Sequence, residues 1–65
     1  MSLAVKRLSL ELRERVAIAR TLVDLASTAD GDLSDELGEA YAHVATAWFA
    51  LAAEVANETK REEAP

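Results

Sequence analysis

Apolar residues recur along the second half of the chain at alternating steps of four and three. A second small or apolar series runs beside the first in the same register. Two neighbouring heptad stripes on one helix predict that the helix is covered from more than one side. The first stripe is Leu37, Tyr41, Val44, Trp48, Leu51 and Val55, and the second is Gly38, Ala42, Ala45, Phe49, Ala52 and Ala56.

The first half of the chain shows one apolar stripe with the same spacing. Its members are Leu12, Val16, Ala19, Val23 and Ala26, broadened by Leu22 and extended backwards by Leu8 and Val5. Ile18 and Leu25 lie away from this stripe, which again indicates a covering surface from a second direction.

A cluster of small and polar residues separates the two patterns. The segment Ser27-Thr28-Ala29-Asp30-Gly31-Asp32 has the composition of a turn, and Asp32 or Ser34 is suited to cap the helix that follows. We expect a single domain over 1–65, with helix one at about 5–27, a turn at 28–32, helix two at about 33–59 and a frayed tail at 60–65.

Two helices joined by a short loop form an antiparallel hairpin, and two hairpins form a four-helix bundle. The sequence therefore predicts an all-α hairpin that self-associates as a homodimer. Its expected core joins one set of residues from each helix. These are Leu8, Leu12, Val16, Ala19, Leu22, Val23 and Ala26 against Leu37, Tyr41, Val44, Trp48, Leu51 and Val55.

Length and composition support association. A chain of 65 residues without cysteine has no disulfide or thiolate metal site to stabilise a small core. No apolar stretch is long enough for a membrane span, and the first residues are too soon charged for a signal peptide, so we expect a cytoplasmic protein.

Charge is unevenly distributed. The net charge is −5, yet residues 1–20 contain five basic and two acidic residues, whereas residues 21–65 contain two basic and ten acidic ones. In an antiparallel hairpin we expect Arg13, Arg15 and Arg20 to approach the half of helix two that contains Glu54 and Glu58.

The segment at residues 6–12 permits a second interpretation. Arg7-Leu8-Ser9-Leu10-Glu11-Leu12 alternates polar and apolar residues, as a half-buried strand does, although its residue types favour a helix. With a strand there, the order strand, helix, turn, helix resembles the ribbon-helix-helix family of dimeric DNA-binding proteins. The resemblance implies a transcription regulator or antitoxin in which Arg7, Ser9 and Glu11 face DNA.

Candidate chemical sites are weak. An EF-hand alignment on Gly31 puts Ala26 and Leu37 at two essential ligand positions, so the acidic segment is interpreted as a turn and cap. His43 follows Glu39 by four residues, which is not the spacing of a di-iron bundle, and a solvated pair is expected. We expect no enzyme activity, cofactor or metal.

Trp48 and Phe49 are the largest side chains. We expect Trp48 in the core or the dimer interface, and Phe49 either in the dimer contact or exposed as an anchor for another protein. The expected function is a non-catalytic dimerisation or protein-interaction module, regulatory or adaptor in role.

Overall fold

The protein is a hairpin of two long helices. The computed structural model describes residues 1–28 and 31–63. Helix α1 spans Leu3–Thr28 and helix α2 spans Ser34–Glu63, and the two pack against each other. The predicted turn and tail include 29–30 and 64–65, which lie outside the described residues. Residues 60–63, expected in the tail, belong to α2.

The N-terminus of α1 is fixed by Ser2. The Ser2 hydroxyl accepts a hydrogen bond from the Val5 N–H at 3.1 Å, and the Ser2 carbonyl accepts one from the Lys6 N–H at 3.0 Å. This is the usual arrangement of a serine N-cap, which satisfies a donor that the helix itself cannot. The same hydroxyl donates to the Glu58 carboxylate and so joins the two helices.

The start of α2 is stabilised by Asp32, one of the two predicted capping residues. Its carboxylate accepts hydrogen bonds from the Ser34 N–H, at 2.9 Å, and from the Ser34 hydroxyl. Asp35 and Glu36 lie in the first turn of α2, and Lys60 and Arg61 lie in its last turn. Acidic residues at the start of a helix and basic residues at its end both interact favourably with the helix dipole.

The contact between the helices follows a four–three spacing on both sides. On α1 the buried and half-buried positions with this spacing are Val5, Leu8, Leu12, Arg15, Ala19, Leu22 and Ala26, and Ala4 and Ser9 beside them are also half-buried. On the other side they are Leu33, just before α2, and then Leu37, Ala40, Val44, Ala47, Leu51, Glu54 and Glu58 of α2. The interior is thin, because three of the five buried hydrophobic residues are alanines.

Five residues of the predicted core and interface lie outside the contact between α1 and α2. Val16, Val23, Tyr41, Trp48 and Val55 are all exposed. The observed stripe on α2 shares three residues with the predicted one, whereas Ala40, Ala47 and Glu54 each precede a predicted member by one position. Ala40 and Ala47 have small side chains, which let α1 and α2 approach closely. Helix α2 therefore turns its alanine side toward α1 and its aromatic side toward solvent.

Residues 6–12 lie inside α1, so the strand that the ribbon-helix-helix interpretation requires is not formed. In a strand, Arg7, Ser9 and Glu11 would share a face. In the helix, residues two apart point in different directions, and Ser9 is half-buried while Arg7 and Glu11 are exposed.

The expectation that the α1 arginines approach the half of α2 that contains Glu54 and Glu58 is wrong. Since Ser2 bonds to Glu58, the antiparallel register places the arginines of α1 level with the middle of α2. Within the described part of the chain, the ion pair is Arg61 with Glu54 at 3.0 Å, and both residues belong to α2.

Candidate interaction surface

The hairpin is a single layer of helices. Its extents are 59 × 16 × 11 Å, and the shortest of them equals the diameter of about one helix. Domains generally consist of two or more packed layers around one core. A second layer is therefore missing from the isolated chain.

The exposed area agrees with this view. The chain exposes 5144 Å², whereas a compact monomer of 7.0 kDa exposes about 4,000 Å². The excess is about 1,100 Å², and each partner in an ordinary protein interface contributes about 800 Å². The surplus surface is large enough for one stable interface.

Much of the apolar surplus lies on α2. Residues 40–53 contain no aspartate, glutamate, lysine or arginine, yet only Ala40 and Ala47 among them are buried. Phe49 is 71% exposed and Trp48 is 60% exposed. We define the outer face of α2 as the exposed residues Gly38, Tyr41, Ala42, Ala45, Trp48, Phe49, Ala52, Val55 and Ala56.

Helix α1 adds a narrower apolar strip beside this face. Val5 and Val55 line the same surface depression, so they are on one side of the hairpin. Val16 and Val23 follow Val5 by 11 and 18 residues, close to whole numbers of helical turns, and are therefore on that side too. Arg13 and Arg20 border the strip, because they line a depression together with Val16.

The opposite side of the hairpin is more polar. Ile18 and Leu22 of α1 line a shallow groove there with Glu36, Glu39 and His43 of α2. Both Glu39 and His43 are exposed, and no ion pair joins them within residues 1–28 and 31–63. Over the same residues, no cluster of three or more potential metal ligands is present.

The predicted interface and core residues divide into two groups. Leu12, Leu37, Val44 and Leu51 are in the contact between α1 and α2. The second group is exposed on one broad side, and consists of Val16, Val23, Tyr41, Trp48, Phe49 and Val55.

Sequence reasoning missed Ala40 and Ala47, which are both buried against α1. Their spacing of seven residues, in phase with Leu33 and Glu54, was the signal that could have located them. Alanine is common on every side of this helix, and so the signal did not stand out.

Neither helix, over the described residues, has an apolar stretch sufficient to cross a bilayer. Comparison with known proteins gives no matching family model, no matching curated protein and no matching solved structure.

Proposed function

We propose that the protein is a non-catalytic dimerisation module whose two copies associate through the outer face of α2 and the adjoining Val16–Val23 strip. The observation that carries the proposal is the uncharged span of residues 40–53, most of which is exposed. Water-exposed apolar patches of this kind mark interaction sites, because their burial is the main favourable term in association.

The aromatic residues are the expected anchors of this interface. Trp48, Phe49 and Tyr41 combine large apolar area with few rotatable bonds, and such residues dominate the energetics of protein contacts. Small residues between them, such as Ala45 and Ala52, allow close approach of another helix. A second hairpin on this side completes a four-helix bundle, the finer architecture that we propose.

A regulatory or adaptor role fits a module of this size. A pair of hairpins offers two copies of every remaining surface, including the polar groove beside His43, to a further protein. Dimerisation then doubles the contacts available to such a partner, which raises the overall affinity without a new type of contact.

The test is sedimentation equilibrium over a wide range of protein concentration, combined with the fluorescence of Trp48, the single tryptophan. We expect a dimer whose tryptophan emission shifts to the blue as concentration rises, because Trp48 leaves water. Trp48→Gln is expected to shift the chain toward the monomer.

Ile18→Gln is the matched control. Ile18 is 50% exposed, similar to Trp48, but is on the opposite, polar side of the hairpin. The control is expected to remain dimeric. A wild-type chain that stays monomeric at every concentration, or equal loss of dimer in both variants, contradicts the proposal.

A further inference from the structure

We infer that the two copies pair α2 against α2 in antiparallel orientation, centred between Ala47 and Trp48, with the α1 helices further from the dimer axis. This arrangement deepens the proposed function and rests on it. Three features of the described residues support it: the unequal width of the apolar surface on the two helices, the charges at the ends of α2, and the spacing of the large side chains.

The apolar surface is wider on α2 than on α1. Residues 7–20 of α1, which lie level with the middle of α2, include six charged residues, whereas residues 40–53 of α2 include none. Arg13 and Arg20 limit the width of the apolar strip on α1. The outer face of α2 extends further around its helix, past Trp48 to Phe49 and Ala56. A partner placed over α2 covers more apolar area, and leaves the arginines in water.

The charges at the two ends of α2 are complementary when the helices run in opposite directions. Asp35 and Lys60 are both exposed and are separated by 25 residues, so they are about 20° apart around the helix. Both border the outer face next to Ala42 and Phe49. An antiparallel pair places Asp35 of each copy near the partner's Lys60.

A parallel pair has the opposite consequence. It places Asp35 of one copy against Asp35 of the other, and Lys60 against Lys60. Like charges in contact weaken association. The opposed helix dipoles of an antiparallel pair favour the same choice.

The large side chains are also spaced symmetrically. Tyr41 and Val55 are each seven residues from Trp48, which is two helical turns in either direction. In the proposed pair, Trp48 of each copy is close to the dimer axis, and Tyr41 of one copy is near the partner's Val55. The contacts are therefore reciprocal, as a two-fold interface requires, and these large side chains meet apolar ones.

The decisive experiment measures distances between spin labels in the dimer of the full chain. Because the chain has no cysteine, a single cysteine introduces one label per copy. A label at Ala50→Cys measures the distance between the middles of the two α2 helices. A label at Asn57→Cys measures the distance between their C-terminal parts, and one at Glu14→Cys the distance between the middles of the two α1 helices. All three residues are exposed, and none belongs to the outer face of α2.

We expect the Ala50 labels to be offset by about 8 Å along the helix axis and the Asn57 labels by about 28 Å, at 1.5 Å per residue from the centre. The Ala50 pair should also be closer than the Glu14 pair. Equal distances at Ala50 and Asn57 overturn the antiparallel pairing. A Glu14 pair that is closer than the Ala50 pair overturns the central position of α2.

A charge-reversal experiment tests the ends independently. Asp35→Lys and Lys60→Asp are each expected to weaken the dimer, on the order of tenfold in Kd, since each replaces two attractions by two repulsions. An equimolar mixture of the two variants should form heterodimers of nearly wild-type affinity, because both end contacts are then attractive. A mixture no tighter than either variant alone overturns the Asp35–Lys60 contact.

The two proposals fail in different ways. A monomeric wild-type chain removes the dimerisation function and the pairing together. A stable dimer with the wrong label distances leaves the dimerisation function in place and removes only the pairing of α2 with α2.

Discussion

Ala47 and Trp48 are consecutive residues of α2 that face opposite environments. Ala47 is 7% exposed and contacts the interior of the hairpin, whereas Trp48 is 60% exposed on its surface. A helix turns by about 100° per residue, so only one of the two neighbours can face α1 fully. The smaller residue occupies the interior and the larger one faces water.

Enlarging Ala47 should therefore destabilise the hairpin. Ala47→Leu inserts three heavy atoms where the helices approach closely, and we expect the free energy of unfolding to fall by about 1–3 kcal/mol. Ala50→Leu is the control, because Ala50 is exposed on the same helix. Urea unfolding followed by circular dichroism measures both, and equal stability of the two variants would show that Ala47 is not buried.

Leu12 and Leu10 provide a second matched pair on α1. Leu12 is 9% exposed and Leu10 is 55% exposed. We expect Leu12→Ala to lower the free energy of unfolding by about 2–5 kcal/mol, because it removes buried methyl groups and leaves a cavity. Leu10→Ala should change it by less than about 1 kcal/mol. The reverse order in thermal unfolding would contradict the orientation of α1.

Ser2 links the start of α1 to the end of α2. Replacing it by alanine removes the cap on the Val5 N–H and the hydrogen bond to Glu58. We expect Ser2→Ala to lower the stability of the hairpin by about 1 kcal/mol. Ser27→Ala is the control, since the Ser27 hydroxyl donates to the Asp24 carbonyl within the last turn of α1 and, among the described residues, makes no bond to α2. Hydrogen exchange of the first turn of α1 should accelerate in the first variant alone.

Asp32 should make the start of α2 sensitive to acid. The Ser34 hydroxyl, and then the Ser34 N–H, hold the pKa of Asp32 below its ordinary value. A carboxyl group with a lowered folded-state pKa stabilises the fold above its unfolded pKa, near pH 4, and this contribution is lost as pH falls through the folded pKa. Its side chain is fully exposed, so the effect is local to the helix start.

The measurement is an NMR titration of residues 31–37 in the wild-type chain and in Asp32→Asn. We expect the transition of the Ser34 amide that follows ionisation of the Asp32 carboxyl to lie below the ordinary pKa of aspartate in the wild-type chain, and this transition to be absent from the Asp32→Asn variant. An Asp32 carboxyl that titrates at or above its ordinary pKa would contradict the hydrogen bonds to Ser34.

The division into two helices could be predicted from the sequence because its signals are local. The polar break before Leu33, the capping residue Asp32 and the repeated four–three spacing each act within a few residues. The alternating segment at residues 6–12 was ambiguous by period alone. Its helical form agrees with the preference of leucine, arginine and glutamate for helices, and with the continuation of α1 on both sides.

The candidate surface could be predicted only in part. The sequence indicated that α2 has more apolar surface than α1 can cover, and Phe49 was singled out as a residue that could stay exposed. The sequence did not show that Trp48, Tyr41 and Val55 would join Phe49 outside, because Leu37, Val44 and Leu51 belong equally to both possible stripes.

By itself, then, the sequence determined two helices, the break between them and a surplus of apolar surface, since these depend on local propensity and composition. Only the tertiary structure decided which side of α2 faces α1. That choice depends on how closely two helices can approach, a property of both partners at once. Ala40 and Ala47 permit a close contact and leave the aromatic side of α2 exposed.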